Sequence, residues 1–334
     1  MRILVTATIA RQHGPAIERA YPGAALVIAP AVRGDLDLDV AASVDAAFLS
    51  VDLMGAGNKA QPPERLQTFI ECLENGRRLR WVHVCSAGTD RPALQLLMRR
   101  GVTVTTSAGA NAMAVAHSAT AGLLAMARGV PYWIESRQAR RWSPMAAGGL
   151  PPDLTAHRAL IVGTGHVGAA MARMLRALGL HVTGVRRAPI AHPDFDAVTT
   201  LDDLPVQVAQ ADWLLLACPL TPRTKGLVDA PLLAAMKVDA GLVNVSRGEV
   251  VDEVALFAAL QAGHLRGVYS DVAVDEPPAP DSPWWSAPRV LLSAHSGGLS
   301  TGFAPRTVER FIDNLRCLAA GQPLQQVAAP SPDS

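Results

Sequence analysis

The stretch that most constrains the fold of this chain is residues 158–187. The short apolar run 159–162 predicts a buried strand, and Gly163-Thr-Gly165-His-Val-Gly168 follows it at once. Apolar residues at helical spacing come next, at Val167, Met171, Met174, Leu175 and Leu178. Residues 181–185 then predict a second strand. Strand, Gly-x-Gly-x-x-Gly, helix and strand in about 30 residues are typical of a dinucleotide-binding βαβ unit. The alternative is a tight turn in an ordinary α/β protein.

Glycine stands at each of the three positions of the motif for a physical reason. Gly163 permits the tight turn, and Gly168 lets the helix pack closely on the strand. Gly165 lets a pyrophosphate approach the backbone, because a Cβ would collide with it. The helix N-terminus offers N–H groups and the positive end of its dipole to phosphates. The predicted dinucleotide site on this loop is Gly163, Gly165, His166, Val167 and Gly168.

The end of the second strand indicates which dinucleotide binds. An Asp or Glu at this place usually holds the ribose 2′-OH of NAD, but this chain has Arg186 and Arg187. A carboxylate would repel a 2′-phosphate, whereas a guanidinium can bind it through two hydrogen bonds and stack on adenine. We therefore predict a preference for NADP(H), with NAD(H) left open. The alternative is two solvated arginines on a surface loop.

The composition excludes several classes of protein. With 334 residues, 49% of them hydrophobic and 18% charged, the chain is long and apolar enough for two domains. A net charge of +1 argues against a general nucleic-acid or membrane-surface binder. The least polar long stretch, residues 112–127, contains His117, Ser118 and Thr120. It is too short and too polar to span a bilayer, and it predicts a buried helix.

The cysteines and the N-terminal residues indicate a reduced, cytoplasmic protein. The cysteines lie far apart and form no metal or disulfide pattern, at Cys72, Cys85, Cys218 and Cys317. Met1-Arg-Ile-Leu-Val-Thr predicts a first strand, since it has neither the apolar segment nor the cleavage site of a signal peptide. We therefore expect no bound metal and no membrane association.

Short apolar runs alternate with helical patterns, which predicts parallel sheets covered by helices, an α/β fold. The strands predicted before the glycine motif are 3–5, 25–28, 46–49, 81–85 and 102–105. The helices predicted between them are 17–20, 64–72 and 92–100. The strands predicted after the dinucleotide unit are 212–218, 242–245, 267–272 and 290–293, with a helix at 254–262. Residues 129–158, rich in Trp, Pro and Gly, predict an irregular arm.

Polar residues follow several of these strands. Open α/β sheets bind ligands at the carboxyl ends of their strands. Backbone N–H groups of Ala87 and Gly88, just past residues 81–85, can hold an anion there. The alternative is an ordinary loop with a glycine turn. Arg247, Glu276 and His295 each follow a later strand. Taken singly, such a residue at a strand end is more often a surface residue or a member of a structural ion pair.

Five segments together resemble the D-isomer-specific 2-hydroxyacid dehydrogenases, and the likeness runs from about residue 81 to 327. The segments are Asn111-Ala-Met-Ala-Val-Ala116, Pro219-Leu-Thr-Pro-Arg-Thr224, Asn244-Val-Ser-Arg-Gly-Glu-Val-Val-Asp-Glu253, Asp271-Val-Ala-Val-Asp-Glu-Pro277 and Ala294-His-Ser-Gly-Gly298. Three catalytic segments in the family's order, together with the glycine loop, distinguish the resemblance from a chance match.

The resemblance implies roles for the residues of these segments. His295 would protonate the keto oxygen as hydride arrives at carbon, and Glu276 would pair with His295 and favour its imidazolium form. Arg247 would hold the substrate carboxylate and polarise the carbonyl. N–H groups of Ala87 and Gly88 would bind the other carboxylate oxygen.

The resemblance also implies further contacts to the cofactor. Asp271 would hold the nicotinamide carboxamide, and His166 would point its side chain at the pyrophosphate. The remaining expected cofactor contacts are Cys218, Pro219, Thr224, Val245, Ser246 and His295.

The chain departs from the family pattern at five positions. The usual Glu-His pair after Ala116 is replaced by His117-Ser118. Ala294 stands where a proline commonly precedes the catalytic histidine, and Ala273 where an aromatic residue is often found. Arg186 replaces the NAD-type acid. None of these changes removes a catalytic group.

The resemblance implies two Rossmann-like or flavodoxin-like domains with parallel sheets and an active site in the cleft between them. Residues 1–107 and 296–334 would form the substrate-binding domain, and 108–295 the NAD(P)-binding domain. A homodimer is expected. The implied reaction is NADPH-dependent reduction of a 2-oxo acid such as glyoxylate or hydroxypyruvate to the D-2-hydroxy acid. Larger acids such as phenylpyruvate stay open, because Trp142, Trp284 and Trp285 either line the pocket or fill core.

Two alternatives remain at this point. One is an oxidiser of another small anion, such as phosphite or formate, on the same scaffold. The other is a non-enzymatic NAD(P)-sensing protein of the corepressor type, which can retain the same three catalytic residues.

Overall fold

The computed structural model describes residues 1–54, 62–144, 150–151 and 153–329. Within them the chain forms two compact units. The first unit comprises residues 1–110 with the chain from Ser300 onward, and the second comprises Asn111–Leu299. Gly148, Gly149 and Pro152 of the predicted arm, and the tail from residue 330, lie outside the described residues.

Strands and helices alternate along the chain. The strands are β1 (Arg2–Val5), β2 (Ala25–Ile28), β3 (Ala46–Leu49), β4 (Trp81–Val84), β5 (Thr103–Thr106), β6 (Arg158–Val162), β7 (His181–Val185), β8 (Ala197–Thr199), β9 (Trp213–Leu216), β10 (Ala240–Asn244), β11 (Leu265–Ser270) and β12 (Val290–Leu292). The helices are α1 (Ala7–Ala20), α2 (Leu38–Ala42), α3 (Glu64–Asn75), α4 (Pro92–Arg99), α5 (Ala112–Ala127), α6 (Val130–Gln138), α7 (His166–Ala177), α8 (Leu204–Val208), α9 (Ala230–Ala235), α10 (Glu253–Gln261) and α11 (Phe303–Ala319).

The first unit is a parallel sheet with helices on its faces. Its described strands are ordered β2-β1-β3-β4-β5, the order of flavodoxin-like folds. Every residue of β3 and β4 is buried. Burial on both faces explains why β3 is a continuous apolar run in the sequence and why His83 is the one polar residue of β4.

Helix α1 is longer than the predicted helix at 17–20, which is corrected to Ala7–Ala20. Gly14 and Pro15 interrupt the helical pattern in the sequence. The helix continues through them because Ile9 and Ile17 are both buried in the core. Tertiary packing here outweighs local propensity.

The second unit contains a longer parallel sheet, whose described strands are ordered β12-β11-β10-β9-β6-β7-β8. Strand β6 pairs with β7 on one side and with β9 on the other. The chain therefore reverses its direction of winding beside β6, and this is where open sheets of this type have a ligand-binding crevice. The predicted α/β class with two parallel sheets is confirmed.

The prediction of an irregular arm over residues 129–158 is wrong in part. Helix α6 spans Val130–Gln138, and a short 3₁₀ turn spans Leu154–Ala156. Gly129 has φ 70° and ends α5, and α6 starts directly after it. Trp133 and Ile134 of α6 are exposed, so this helix has no apolar face that a helical period could reveal.

No helix within the described ranges combines the length and the apolar character needed to cross a membrane.

A histidine is buried in the core of the first unit. His83 Nδ1 lies 2.8 Å from Thr105 Oγ1, and His83 Nε2 lies 3.0 Å from Ser107 Oγ. Trp81 Nε1 also donates to Thr105 Oγ1 at 2.8 Å. Burial, assisted by the positive charge of Arg310, lowers the pKa of His83 to about 3. The ring is therefore neutral at physiological pH.

This histidine should make the fold acid-sensitive. The unfolded chain binds a proton near the ordinary pKa of 6.5, whereas the folded chain does not until about pH 3. The contribution of His83 to stability is therefore complete above pH 6.5 and falls by about 1.4 kcal/mol per pH unit below it. The free energy of unfolding, measured with urea, should be about 2 kcal/mol lower at pH 5.0 than at pH 7.5 in the wild type. This loss should be absent in His83→Gln. Equal losses in the two proteins would contradict this prediction.

Candidate active site

The glycine loop joins β6 to α7, and its three glycines meet different surroundings. Gly163 has φ 107°, and a Cβ on it would lie 2.6 Å from the carbonyl oxygen of Ala217. A Cβ on Gly168 would lie 1.8 Å from the carbonyl oxygen of Gly163. A Cβ on Gly165 would have no neighbour within 4 Å among the described residues. The fold itself therefore requires Gly163 and Gly168, while Gly165 leaves bare backbone beside open space, which fits a pyrophosphate.

Helix α7 begins at His166, directly after this space. Its first N–H groups have no carbonyl partner within the helix, which makes the helix N-terminus a place for phosphate oxygens. His166 is exposed and Val167 is half-buried, both in the first turn. The residues of the loop thus fit the phosphates of a dinucleotide.

Arg186 and Arg187 follow β7, the strand beside the glycine loop. Gly163 N donates to the carbonyl oxygen of Val185 at 2.9 Å, so the two loops leave the sheet side by side. Arg186 is half-buried and donates from Nη1 to the carbonyl oxygen of Ile190 at 3.4 Å. Arg187 is exposed. Two cations therefore stand next to the loop where an NAD-type site has an acid.

The turn after β9 borders the other side of the glycine loop. Ala217 N donates to the carbonyl oxygen of Val162 at 2.8 Å, and Cys218 and Pro219 come next. Burial raises the pKa of the Cys218 thiol to about 11, so this side chain is neutral. Thr224 donates from Oγ1 to the carbonyl oxygen of Pro219 at 2.7 Å. The Thr224 hydroxyl therefore shapes this turn.

The loop after β10 is organised by a buried amide. Asn244 Oδ1 accepts hydrogen bonds from Ser246 N at 3.0 Å and Ser246 Oγ at 2.7 Å. Asn244 Nδ2 donates to the carbonyl oxygen of Arg247 at 3.0 Å. Asn244 thus sets the path of Val245, Ser246 and Arg247. Sequence reasoning assigned Asn244 no role, although a polar residue that ends an apolar strand was a signal for one.

Arg247 lies at a junction of two loops. Its guanidinium Nη1 donates to the carbonyl oxygen of Ser246 at 2.7 Å, and the side chain is half-buried. A Cβ on Gly248 would lie 2.1 Å from the backbone of Ala273. The loop that carries Arg247 is therefore in direct backbone contact with the loop that leads to Glu276.

Glu276 and His295 form a pair. His295 Nδ1 lies 2.9 Å from Glu276 Oε2, and Glu276 Oε1 accepts a hydrogen bond from Ala273 N at 3.3 Å. The Glu276 side chain is 14% exposed and the His295 side chain is 44% exposed. With Nδ1 turned to the carboxylate, Nε2 is the ring nitrogen that can exchange a proton with a bound molecule.

Asp271 holds the loop on which His295 stands. Its carboxylate is buried, and Oδ1 accepts hydrogen bonds from Ser293 Oγ at 2.6 Å, Ser296 N at 2.9 Å and Gly297 N at 2.8 Å. Its carbonyl oxygen accepts from His295 N at 2.6 Å. Asp271, which the family resemblance assigns to the cofactor, therefore also has a structural part.

The backbone of this loop explains one departure from the family pattern. Ala294 has φ 47° and His295 has φ 53°, both in the left-handed region. The ring of proline fixes φ near −65°. A proline at position 294 would therefore be incompatible with this path of the chain.

Ala87 and Gly88 lie in the first unit, in the loop after β4. Ser86 Oγ donates to the carbonyl oxygen of Gly88 at 2.8 Å, and Gln95 Nε2 donates to that of Thr89 at 2.8 Å. Ala87 is exposed and Gly88 is half-buried. The loop is thus folded by its own side chains and presents backbone to its surroundings.

Of the three tryptophans left open by the sequence, Trp284 fills core. Its ring packs against Phe257 with centroids 5.0 Å apart, and it is 5% exposed. Trp285 donates from Nε1 to the carbonyl oxygen of Ala279 and is more than half exposed. Trp142 is exposed.

The sheet of the second unit gathers the predicted residues at one edge. Arg247, Glu276 and His295 follow β10, β11 and β12, which are neighbours in the sheet. The glycine loop, Cys218 and Arg186 follow β6, β9 and β7, which continue the same sheet. A nucleotide cradle and a His–Glu pair therefore share one edge. In the described ranges, no three His, Cys, Asp or Glu side chains are grouped to hold a metal ion.

The chain is similar to known proteins over most of its length. Residues 120–297 match the family model of the D-isomer specific 2-hydroxyacid dehydrogenase, NAD binding domain. An uncharacterised protein from the mprR 3′ region of Streptomyces coelicolor is 38% identical over 232 residues, which are 69% of this chain and 81% of that protein. The glyoxylate reductase of Korarchaeum cryptofilum is 32% identical over 258 residues, 75% of this chain and 76% of that enzyme.

A solved structure resembles the whole chain. The D-isomer specific 2-hydroxyacid dehydrogenase of Xanthobacter autotrophicus Py2, crystallised in complex with NADPH and MES, has a TM-score of 0.77 and 28% sequence identity. The similarity covers 98% of both chains.

The surroundings of the glycines predict that a substitution at Gly165 affects cofactor binding and that one at Gly168 affects folding. Gly165→Ala should leave the melting temperature unchanged, because the new Cβ meets open space, and should weaken NADPH binding about tenfold by filling the pyrophosphate space. Gly168→Ala, the matched control, should destabilise the fold by about 1–3 kcal/mol through its clash with Gly163. Thermal unfolding and fluorescence titration measure both effects. Wild-type NADPH affinity in Gly165→Ala would rule out the phosphate cradle.

Proposed function

The chain belongs to the D-isomer-specific 2-hydroxyacid dehydrogenase family of NAD(P)-dependent oxidoreductases, and we propose that it reduces a small 2-oxo acid to the D-2-hydroxy acid with NADPH. The observation that carries the proposal is the His295–Glu276 pair, 2.9 Å apart, on the sheet edge that also bears the glycine loop. Glyoxylate and hydroxypyruvate are the leading substrates, and the similar enzyme of Korarchaeum cryptofilum is named a glyoxylate reductase.

The proposed reaction converts a 2-oxo acid, NADPH and one proton into the (R)-2-hydroxy acid and NADP⁺. The cofactor, when bound, supplies the hydride. His295 donates the proton from Nε2 to the keto oxygen, and Glu276 holds the ring through Nδ1 so that Nε2 is aimed. Arg247 binds the substrate carboxylate through paired N–H groups. Backbone N–H groups of Ala87 and Gly88 remain a predicted site for a carboxylate oxygen.

The cofactor is held along the carboxyl ends of the central strands. The loop at Gly163–Gly168 and the N-terminus of α7 take the pyrophosphate. Arg186 and Arg187 take the 2′-phosphate of NADPH, and the opposite charges favour NADPH over NADH. When the cofactor is bound, the turn at Cys218 and Pro219 and the loop at Val245 and Ser246 would contact its nicotinamide half. Thr224 shapes this turn, and Asp271 would hold the carboxamide.

The proposed assembly is a homodimer. Three large apolar side chains within ten residues of one another in the sequence are exposed on and just after α6, at Trp133, Ile134 and Trp142, and exposed apolar side chains favour an interface between proteins. Light scattering should give a molar mass of two chains in solution. A mass of one chain would contradict the proposed homodimer. The four buried, free cysteines support a reduced, cytoplasmic location.

The test of the function is turnover. We expect NADPH oxidation, followed by absorbance, with at least one of glyoxylate, hydroxypyruvate, pyruvate and phenylpyruvate. His295→Ala should lower kcat by about 10²–10⁴-fold, because the acid that protonates the keto oxygen is lost. His181→Ala is the matched control: this exposed histidine begins β7, at the opposite edge of the sheet, and its loss should leave kcat unchanged.

Two results would count against the proposal. Wild-type turnover in His295→Ala would refute the mechanism. Tight NADPH binding without turnover of any of the four acids would favour the nucleotide-sensing alternative.

The cofactor preference has its own test. Arg186→Asp should lower the ratio of kcat/KM for NADPH to kcat/KM for NADH by about 10–100-fold, since charge-assisted hydrogen bonds to the 2′-phosphate are replaced by repulsion. Arg158→Asp makes the same change of charge at the amino end of β6, the other edge of the sheet, and should leave the ratio unchanged. An unchanged ratio in Arg186→Asp would indicate that these arginines are solvated surface residues and do not bind the 2′-phosphate.

A further inference from the structure

The loop that carries His295 has a backbone that must be held in place. Ala294 and His295 are consecutive non-glycine residues with φ 47° and φ 53°. The left-handed region is unfavourable for residues with a Cβ, and such a conformation persists only where surrounding contacts determine it. The His295 side chain is also 44% exposed, so apart from the hydrogen bond to Glu276 little packing fixes the ring. Contacts to the backbone of residues 293–298 must therefore set where the ring lies relative to Glu276.

One set of contacts reaches this loop from β11. Ser293 Oγ donates to Asp271 Oδ1 at 2.6 Å, and Tyr269 Oη lies 2.8 Å from Ser293 Oγ. Because the Ser293 hydrogen goes to the carboxylate, Tyr269 is the donor to Ser293. Burial raises the pKa of Tyr269, so its phenol keeps the proton that this hydrogen bond needs.

A second contact reaches the loop from α5. Ser118 Oγ donates to the carbonyl oxygen of Gly297 at 2.9 Å, and Gly297 N donates to Asp271 Oδ1 at 2.8 Å. Gly297 is thus held at both its N–H and its carbonyl group. A Cβ on Gly297 would lie 2.8 Å from Asp271 Oδ2, so the backbone here lies directly on the carboxylate.

The two sets of contacts are joined at Tyr269. The Ser118 hydroxyl also lies beside the Tyr269 hydroxyl. The Tyr269 ring occupies the space beside Gly122, one turn after Ser118 on α5, where a Cβ would lie 2.2 Å from the ring. Helix α5 is itself buried against α7, β10 and β11. The hydroxyls of Ser118, Tyr269 and Ser293 therefore connect the histidine loop to a buried part of the second unit.

We propose that Ser118, Tyr269 and Ser293 form a hydroxyl brace, a set of positioning residues that hold the loop of His295 and thereby aim its imidazole. Its effect on turnover rests on the proposed function, whereas its effect on the loop does not. None of the three needs to touch the substrate, because each acts through the backbone at 293–297 or through Asp271. Loss of the brace should lower kcat, since proton transfer depends on placing the donor within a fraction of an ångström, and should leave KM nearly unchanged because Arg247 is on another loop.

The experiment compares Ser118→Ala and Tyr269→Phe with matched controls. Thr120→Val removes a hydroxyl from the same helix, where it contacts Met174 Sδ at 3.5 Å. Tyr132→Phe removes a phenol oxygen from another helix, α6, where it contacts Ser143 Oγ at 2.6 Å. Ser118→Thr keeps the hydroxyl and serves as the rescue.

Two readouts are measured on each full-length protein. Hydrogen–deuterium exchange, without cofactor or substrate, measures the exchange rates of the backbone amides of residues 295–297. Steady-state kinetics with NADPH and the best 2-oxo acid report kcat and KM. In Ser118→Ala and Tyr269→Phe we expect the exchange rate of these amides to rise about tenfold and kcat to fall about tenfold. KM should stay within about twofold of the wild-type value. The two controls and Ser118→Thr should behave like the wild type.

The outcomes separate the brace from the proposed function. Faster exchange in Ser118→Ala and Tyr269→Phe, in a protein whose wild type reduces no 2-oxo acid, would support the brace and refute the function. Normal exchange and normal kcat in both variants of an active enzyme would overturn the brace. Equal effects in Thr120→Val and Ser118→Ala would also overturn it, because any lost hydroxyl on α5 would then suffice.

Discussion

The parallel pairing of β6, β7 and β9–β12 is the constraint on which the rest of the second unit depends. In a parallel sheet all strands end at the same edge, so each loop that follows a strand meets its neighbours there. Val162 pairs with Val185 on one side and with Leu216 on the other, and Asn244 pairs with Leu216. This register brings chain segments that are far apart in sequence to adjacent positions. The nucleotide loop and the His–Glu pair share one edge of the sheet for this reason.

Polar groups buried at this edge give the loops their shape. A buried carboxylate or amide costs free energy unless it is hydrogen-bonded. Asp271 and Asn244 meet that requirement with the backbone and hydroxyl groups of the loops beside them. The need to satisfy one buried side chain thus determines the path of several residues. The left-handed backbone at Ala294 and His295 is one result, and it accounts for the lack of a proline there.

Much of the fold could be predicted because buried elements have a recognisable apolar pattern in the local sequence. Strands with both faces covered, such as β3, appear as apolar runs, and the predicted ends of β3 and β4 differ from the observed ends by at most one residue. Helix α6 was missed because its exposed Trp133 and Ile134 hide any amphipathic period. Helix α1 was predicted too short because Gly14 and Pro15 are unfavourable locally, while the buried Ile9 and Ile17 that stabilise it are long-range effects.

The sequence by itself determined the class of fold, the nucleotide motif and the strand ends that bear Arg247, Glu276 and His295, because each of these depends on neighbours within a few residues. The tertiary structure decided which glycine faces open space, since that depends on Ala217, more than fifty residues from Gly163. It also decided that Ser118 holds Gly297, a contact across 179 residues. No local pattern encodes such a pair. Only the packing of α5 against the sheet brings the hydroxyl to the carbonyl group.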